Sequence, residues 1–576
     1  MCEFPDFAEF DEEMFTMIIN EASTFAEQVL APLNVNGDRQ GCRIENGAVV
    51  TPDGFTDAWK QLGEGGWLSM SLPPEFGGQG IPEVIAVIGK ETQLAANQGF
   101  TIGASLTTGA ANLIYTFGSD VQKNEFCQNM FSGKWAGTMC LTEPHAGSAV
   151  GDVITSATKQ EEGHYLIKGT KQFITNGDHD MADNIVHLLL ARTPNSQQGT
   201  KGISLFIVPK KRPDGEQNDI KLVSIEHKMG INGSPTCLLS FGDNDDCHGY
   251  LLEAENMGME QMFKLMNEAR LLVGLQGLAG ASAAVQNAWA YANERTQGPS
   301  SIHPEKKASI IEFPDVRRML MHMKAVTEGL RALMYTSAWY IDMANHGPEA
   351  HSEKYQDLLD LHIPICKAFG TDQGFDVART GIQVLGGVGF TKHFPLEQNI
   401  RDQKIGSIYE GTNGIQALDL VGRKFTSKKG QLIKVLEKEL CWFDNRSLEG
   451  ELKGWVAEWN NYRTLMFESI DCMIKIGETK GKDGYVLYAA NMLDLMGDVL
   501  CCFYLLKQAE TAQNKWKGMI TQTVSQEELL AENQEAQFYW NKLRTVEYYV
   551  WSVLPRALSN AKTIKNANLS PLNACL

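Results

Sequence analysis

Residues 381–424 read GIQVLGGVGFTKHFPLEQNIRDQKIGSIYEGTNGIQALDLVGRK. Gln383 and the glycines Gly386, Gly387 and Gly389 come first, between helical segments; Arg401-Asp402 follow, then Tyr409-Glu410-Gly411-Thr412. Glycines in that setting are on their own a weak phosphate-loop signal. Glu410 has Ile408 and Tyr409 on one side and the loop-forming Gly411 on the other. An acid beside a loop is ordinarily a solvated or capping residue, and this passage alone allows that reading. It is the order of these parts within one unbroken stretch, not any one of them, that carries weight, and its meaning depends on the rest of the chain.

The 576 residues suffice for three or four domains or one large multilayer body. A hydrophobic fraction of 43% and a charged fraction of 21% are those of a globular chain. The net charge of −19 argues against a general nucleic-acid or anionic-membrane binder, which needs a surplus of Lys and Arg. The start, MCEFPDFAEFDEEMF, is acidic and lacks the basic and apolar regions of a signal peptide. The apolar run LLVGLQGLAGASAAV (271–285) is too short for a span of ~20 residues, and its closely spaced Gly and Ala suit tight helix packing. The twelve cysteines lack metal-ligand spacing and include the adjacent Cys501-Cys502, which points to reduced thiols in a cytosol and no metal site.

Hydrophobic period divides the chain. Residues 1–135 read as helical, broken at LPPEFGGQGIP (72–82); DEEMFTMIINEASTFAEQVLAPL predicts a helix with an acidic start that ends at a proline. Within 136–250, HYLIKGTKQFITNG, NIVHLLLAR, GISLFIVPK and TCLLSFGD read as antiparallel strands of a small barrel or sandwich. Residues 251–425 return to helix, with MEQMFKLMNEARLLVGLQGLAGASAAVQNAWAYANER apolar on more than one face and therefore buried in a bundle. Residues 426–576 form a further helical extension with apolar stripes at Leu432, Val435, Leu436, Leu440 and Phe443, and at Tyr539, Leu543, Val546, Val550 and Val553. The class is α+β.

Three other segments carry chemistry-bearing residues. CLTEPHAGSAVGD (140–152) places Thr142, Ser148 and small residues in a loop before the strands, fit either for a plain loop or for approach to an anion or polar ring. GTKQFITNG (169–177) offers an apolar wall, Phe173 and Ile174, with Thr175 as a polar tip, or an ordinary core strand. YANERTQG (291–298) ends a long helix at Arg295, which complements the helix C-terminus or clamps a pyrophosphate.

Together, FAEQVLAPLN, CLTEPHAGS, GTKQFITNG, NEARLLVGLQGLAG and RDQKIGSIYEGTNGIQALDLVGRK resemble, in order and approximate spacing, the acyl-CoA dehydrogenase family, from about residue 20 to Arg423. The extension, NGDRQGCRIENG (36–47) and SIEHKMGINGS (224–234) are similar to its long branch, which includes 3-(methylthio)propanoyl-CoA dehydrogenases and medium- to long-chain enzymes. The resemblance implies an N-terminal helical domain, a middle β domain, a C-terminal four-helix bundle, bound FAD, a homodimer and an electron-transfer flavoprotein as electron acceptor. Glu410 is then the base that takes the α-proton of an acyl-CoA while the β-hydride goes to the flavin, giving a trans-2-enoyl-CoA. Desolvation beside Tyr409 and the acyl chain would strengthen that base.

Carried over by motif, Leu141, Thr142, Gly147, Ser148, Ile174 and Thr175 line the flavin ring; Arg295, Gln297, Gln383, Gly386, Gly387, Thr412 and Gly414 hold the rest of FAD, partly across a dimer interface. Ser148, Asn267, Arg270, Tyr409 and Gly411 lie along the acyl-CoA path. Some subfamilies place the base immediately before the arginine corresponding to Arg270, but here that position is Ala269, and Glu268 is turned roughly 100° away. Ala149 stands where relatives carry Asp, and ERTQG lacks a Phe before its Gly. Two other readings share the fold: a non-catalytic flavin-bound relative with a DNA-associated stress role, and an acyl-CoA oxidase using O₂.

Overall fold

The computed structural model describes residues 2–300, 302, 305–520 and 526–575, with the side chains of 264, 265, 267 and 268 outside that set. The chain forms two compact units, Met1–Gln276 and Gly277–Leu576.

In the first unit, α1 (Glu12–Phe25) begins where the Asp11 carboxylate accepts the Met14 N–H at 2.7 Å, with Glu12 and Glu13 in the first turn. The helix does not end at the proline as the sequence predicts. A π-helical turn, Ala26–Leu30, leads into α2 (Ala31–Gln40), and Pro32 falls in the first turn of α2, where its missing N–H is not needed. A hairpin, β1 (Arg43–Glu45) and β2 (Ala48–Val50), interrupts the helical region. It is tied to the later strands by the Val49 N–H on the Asp178 carboxylate at 3.0 Å. The two segments 36–47 and 224–234 meet there: Cys42 N–H donates to Asn232 O at 3.2 Å and Asn232 Nδ2 to the Asp38 carboxylate at 2.8 Å. Helices α3 (Phe55–Glu64), α4 (Glu83–Ala96), α5 (Gln98–Phe117) and α6 (Asp120–Phe131) complete the region.

An eight-stranded sheet follows: β3 (Trp135–Cys140), β4 (Ser156–Lys159), β5 (Tyr165–Thr175), β6 (Asn184–Ala191), β7 (Ser204–Pro209), β8 (Ile220–Ile225), β9 (Thr236–Phe241) and β10 (His248–Leu251). Its order is β3-β6-β7-β10-β5-β9-β8, with β4 on β5. The pairings are antiparallel as expected, with one exception. β3 runs parallel to β6, a pairing that needs the long connection through β4 and β5. β6 and β7 are buried along their whole length, yet keep the period of two. Val186, Leu188, Leu190, Leu205 and Ile207 pack with Ala110, Ile114, Phe126 and Met130 of α5 and α6. Their neighbours Leu189, Ala191, Phe206 and Val208 pack on the other face with Cys237, Leu239 and Phe241.

Helix α7 (Gly258–Glu294) is where the division into units falls. In the second unit a short hairpin, β11 (Thr296–Pro299) and β12 (Lys307–Ser309), precedes α8 (Pro314–Asn345), α9 (Glu349–Leu385), α10 (Leu396–Lys404) and α11 (Asn413–Asp419). The small residues of 271–285 do the work expected of them. A Cβ on Gly277 would lie 2.4 Å from Gly370 O, and one on Gly374 2.2 Å from Gly277 O, so α7 and α9 touch backbone to backbone. The extension consists of α12 (Gln431–Glu439), α13 (Gly450–Val486), α14 (Ala489–Met519), α15 (Gln526–Glu532), α16 (Gln534–Tyr548), α17 (Arg556–Asn566) and α18 (Ser570–Asn573). Helix α14 is long and apolar enough to cross a membrane by length and composition, but 83% of its most apolar window is buried by its neighbours. That all-round burial is what an apolar helix at the centre of a bundle shows. Leu432, Val435, Leu436, Leu440 and Phe443 are buried, as are Leu543, Val546, Val550 and Val553, while Tyr539 is half-buried. All twelve cysteines are free thiols, and among the described residues no group of His, Cys, Asp and Glu is placed to hold a metal.

Candidate active site

Each unit presents one set of the expected site residues. In the first, the loop 140–152 is fastened to β5 from beneath. Lys171, fully buried, donates to the Glu143 carboxylate at 2.9 Å and to Leu141 O at 3.0 Å. The Thr155 hydroxyl and the N–H groups of Ile154 and Thr155 also bond Glu143, and Gln172 N–H reaches Thr142 O at 2.9 Å. Burial pushes the Glu143 carboxyl up, but the Lys171 ammonium and these N–H donors outweigh it and hold the group below the usual carboxylate value. On the far side Arg192 bonds Val153 O at 2.8 Å and Gly151 O at 2.5 Å. Ala149 therefore sits in a loop ordered from both flanks without a side-chain carboxylate of its own.

This anchoring leaves Gly147 and Ser148 exposed and Leu141 and Thr142 half-buried. A Cβ on Gly147 would meet nothing within 4 Å, so the loop offers an open, small-residue rim. In β5 a bulge falls between Lys171 and Ile174, and Phe173 takes a left-handed φ of +59° with 57% of its surface exposed. The bulge re-aims the strand end. Ile174 turns its side chain into the core at 2% exposure, leaving only its backbone for a ligand, while Thr175 is half-buried. Arg270 is buried at 3% exposure; the side chain of Asn267 lies outside the described residues, as does that of Glu268.

In the second unit Glu410 has a left-handed backbone, φ +56°, followed by Gly411 at +78°. A non-glycine residue in that region is strained, and such strain persists only where the surroundings enforce it. They do. Lys367 of α9, fully buried, donates to Gly411 O at 2.7 Å and to Asn413 Oδ1 at 2.9 Å. Asn413 Nδ2 returns to α9 at Thr371 Oγ1 (3.0 Å) and Ala368 O (3.2 Å). Thr412 caps α11 by accepting the Ile415 N–H at 3.2 Å, and the buried Gln416 reaches back to Glu410 O at 3.1 Å. Glu410 and Tyr409 are half-buried, Ile408 is 52% exposed, and Thr412 and Gly414 lie on the same turn. So Tyr409, Glu410, Gly411, Thr412 and Gly414 are brought together on one rigid loop.

The remaining residues sit at two exposed turns. Arg295 follows the last residue of α7, and its Nη2 meets Gln297 Oε1 at 3.4 Å. Gln383, Gly386 and Gly387 close α9; Gly386 has φ +66°, and a Cβ on either glycine would meet only open space. An exposed arginine, side-chain amides, hydroxyls and bare glycine backbone are a donor set that fits a flavin dinucleotide, with its pyrophosphate, sugar hydroxyls and ring acceptors. The residues the sequence reading passed over are the anchors Glu143, Lys171, Arg192, Lys367, Asn413 and Gln416. Their signal was present in part. Glu143 and Lys171 are charges inside segments otherwise read as small or apolar.

Known proteins match along nearly the whole chain. Sequence models of the acyl-CoA dehydrogenase N-terminal, middle and C-terminal domains match residues 12–134, 138–244 and 256–425, and an acetyl-CoA dehydrogenase C-terminal-like domain matches 444–574. The 3-methylmercaptopropionyl-CoA dehydrogenase of Ruegeria pomeroyi is 36% identical over 97% of this chain and 93% of its own. A butyryl-CoA dehydrogenase of Syntrophomonas wolfei is 36% identical over 95% of this chain and 90% of its own. The acyl-CoA dehydrogenase of Bacillus anthracis, solved with FAD, is 23% identical and shares the fold with a TM-score of 0.73 over 97% of this chain and 92% of its own. Matched in this way from the first helix to the end of the extension, the chain belongs to the acyl-CoA dehydrogenase family and is an FAD-dependent oxidoreductase.

Proposed function

We propose that the chain removes the α and β hydrogens of a linear acyl-CoA thioester to give the trans-2-enoyl-CoA, with Glu410 as the base that takes the α-proton. The observation that carries this reading is the strained, fastened backbone at Glu410. A left-handed glutamate costs ~1–3 kcal/mol, and four side chains, Lys367, Thr412, Asn413 and Gln416, hold the turn that imposes it. A base for a weakly acidic C–H must be placed within hydrogen-bond reach and kept there. Tyr409 and Glu410 are both half-buried, and an acyl chain bound beside them would limit the water around the carboxylate. FAD, when bound, supplies the acceptor for the β-hydride. Thr142, Ser148 and Thr175 would hold the ring with their hydroxyls, and Arg295, Gln297, Gln383 and the bare backbone at Gly386-Gly387 would hold the pyrophosphate and adenosine.

For the acyl group, the names of the two relatives above, 3-methylmercaptopropionyl- and butyryl-CoA dehydrogenase, put short chains, 3-(methylthio)propanoyl among them, first, and a third relative named as a broad-specificity linear acyl-CoA dehydrogenase keeps medium and long chains among the candidates. Electrons then pass to an electron-transfer flavoprotein in the cytoplasm, not to O₂. Two copies pair through the tip beyond Gly387, where Phe390 is 89% exposed. Anaerobic titration of the FAD-loaded protein with butanoyl-, octanoyl-, palmitoyl- and 3-(methylthio)propanoyl-CoA tests the reading by flavin absorbance. Bleaching by a short substrate is expected. Bleaching by none of the four overturns the dehydrogenase reading, and stoichiometric peroxide release in air would favour an oxidase.

A further inference from the structure

The extension α12–α18 follows the last residue of the loop-bearing bundle, and its contacts show what it touches. Helix α11, the helix that Thr412 caps immediately after Glu410, packs on both α9 and α14 of the extension. Helix α14 meets α9 at Gly497, where an added Cβ would lie 2.5 Å from the Phe369 ring. Phe369 directly follows Lys367 and Ala368, the residues of α9 that bond Gly411 and Asn413.

One side chain locks this junction. Arg556, the first residue of α17, donates to the fully buried Asp498 of α14 through Nε at 2.7 Å and pairs with it through Nη2 at 2.6 Å. Its Nη1 reaches Gln373 Oε1 of α9 at 2.5 Å, and its guanidinium lies 5.5 Å from the Phe369 ring centre. A planar, always-charged fork can hold three groups at fixed angles, which an ammonium cannot. Removing it leaves Asp498 as a buried unpaired carboxylate and frees the α9 turn that bears Lys367. Tyr485 of the extension makes a further tie, its Oη donating to Val421 O just beyond α11.

We propose that the C-terminal extension is part of the catalytic apparatus, and that Arg556 is a positioning residue which, through Phe369 and Gln373 of α9, holds the Lys367–Asn413 brace and with it the strained Glu410 turn. This rests on the reading of Glu410 as the base. The chain of contacts runs Arg556, Phe369 and Gln373, then Lys367, Ala368 and Thr371, then Gly411 and Asn413, then Glu410, each link a contact or hydrogen bond within the second unit or one turn of α9.

The test uses the full-length, FAD-loaded enzyme with Arg556→Met, Arg556→Lys and Gln373→Ala, and Glu410→Gln as control. Arg556→Met is expected to lower kcat ~10-fold or more, because a small misplacement of a catalytic group is costly even when caused from a distance. The KM for acyl-CoA should stay within about twofold, since no substrate contact is removed. Amide exchange across 408–416 should quicken while exchange across 184–209 stays unchanged, and Arg556→Lys should recover part of kcat. If Arg556→Met fails to fold, Gln373→Ala decides by the same kcat, KM and exchange readings, with a smaller fall in kcat expected. A folded, flavin-loaded variant with kcat and loop exchange at wild-type values overturns the proposal. So does a fall in kcat matched by faster exchange throughout the chain, which would mark general loosening. Glu410→Gln separates the two levels: turnover surviving in that control removes the base assignment itself, whereas its loss beside an unaffected Arg556→Met removes only the role of the extension.

Discussion

The loop 140–152 of the first unit and the turn 408–414 of the second are both held from beneath by a fully buried lysine that bonds a backbone carbonyl of the loop. Lys171 takes Leu141 O and the Glu143 carboxylate; Lys367 takes Gly411 O and the Asn413 amide oxygen. The difference lies in the second partner. A carboxylate makes an ion pair, so each partner depends on the other to justify its burial. At Lys367 the two hydrogen-bonded oxygens are neutral, so its loss leaves acceptors without a donor; burial pushes the Asp372 carboxyl up, and the Lys367 charge draws it down through space. The backbone differs as well: Gly147 and Ser148 lie on an open rim, whereas Glu410 is forced into a left-handed conformation. One anchor secures a platform, and the other sustains strain at a single residue.

The largest effect separating the two is on stability. Lys171→Met should cost ~3–5 kcal/mol, because it strands a buried carboxylate, and it should release flavin; thermal unfolding with and without added FAD measures both. Lys367→Met should cost less, ~1–3 kcal/mol, but should lower kcat far more than its stability loss suggests. Equal stability losses in the two variants would erase the distinction. Next comes Glu410→Gly, which should abolish turnover while raising stability by ~1 kcal/mol, because glycine accepts φ +56° freely. A lower melting temperature in that variant would mean that the side chain stabilises the turn it strains.

The smallest effects concern pH. Glu143 is held below its usual value of 4.5, so its contribution is present above that value and is lost as the pH falls through the lower folded value. Asp494, beside the Arg556 clamp, behaves oppositely. Burial, then Asp498 and Asp372, push it up to about 7 against the pull of Arg556. A raised carboxyl contributes stability at low pH that is lost as the pH rises from the ordinary 3.8 through about 7. Asp494→Asn should therefore stabilise the protein by an amount that grows as the pH rises through this window, clearly more at pH 8 than at pH 5. The same gain at both values would contradict that ionisation.

Much of the fold could be read from local pattern. The runs at 164–177, 184–192, 202–210 and 236–243 became strands, and the close approach of α7 to α9 at Gly277 was foreshadowed by the small residues of 271–285. Features that depend on distant partners were not readable. The parallel pairing of β3 with β6 is a matter of topology, and the helix running on past Pro32 depends on where a new first turn begins. Of the candidate site, motif order singled out Glu410 and the turns around it. The braces stayed hidden because Lys171 and Lys367 look like ordinary charged residues until long-range folding buries them against Glu143 and Gly411. The left-handed φ of Glu410 left its trace only in the glycine that follows it.

The most direct test of the account is the rate of anaerobic flavin bleaching when the Glu410→Gln protein, fully loaded with FAD, is mixed with the best acyl-CoA substrate in a stopped-flow instrument. The substrate should still bind, and bleaching should slow by ~10²-fold or more, the usual contribution of a positioned general base. Bleaching at the wild-type rate would contradict this and place the base elsewhere in the chain.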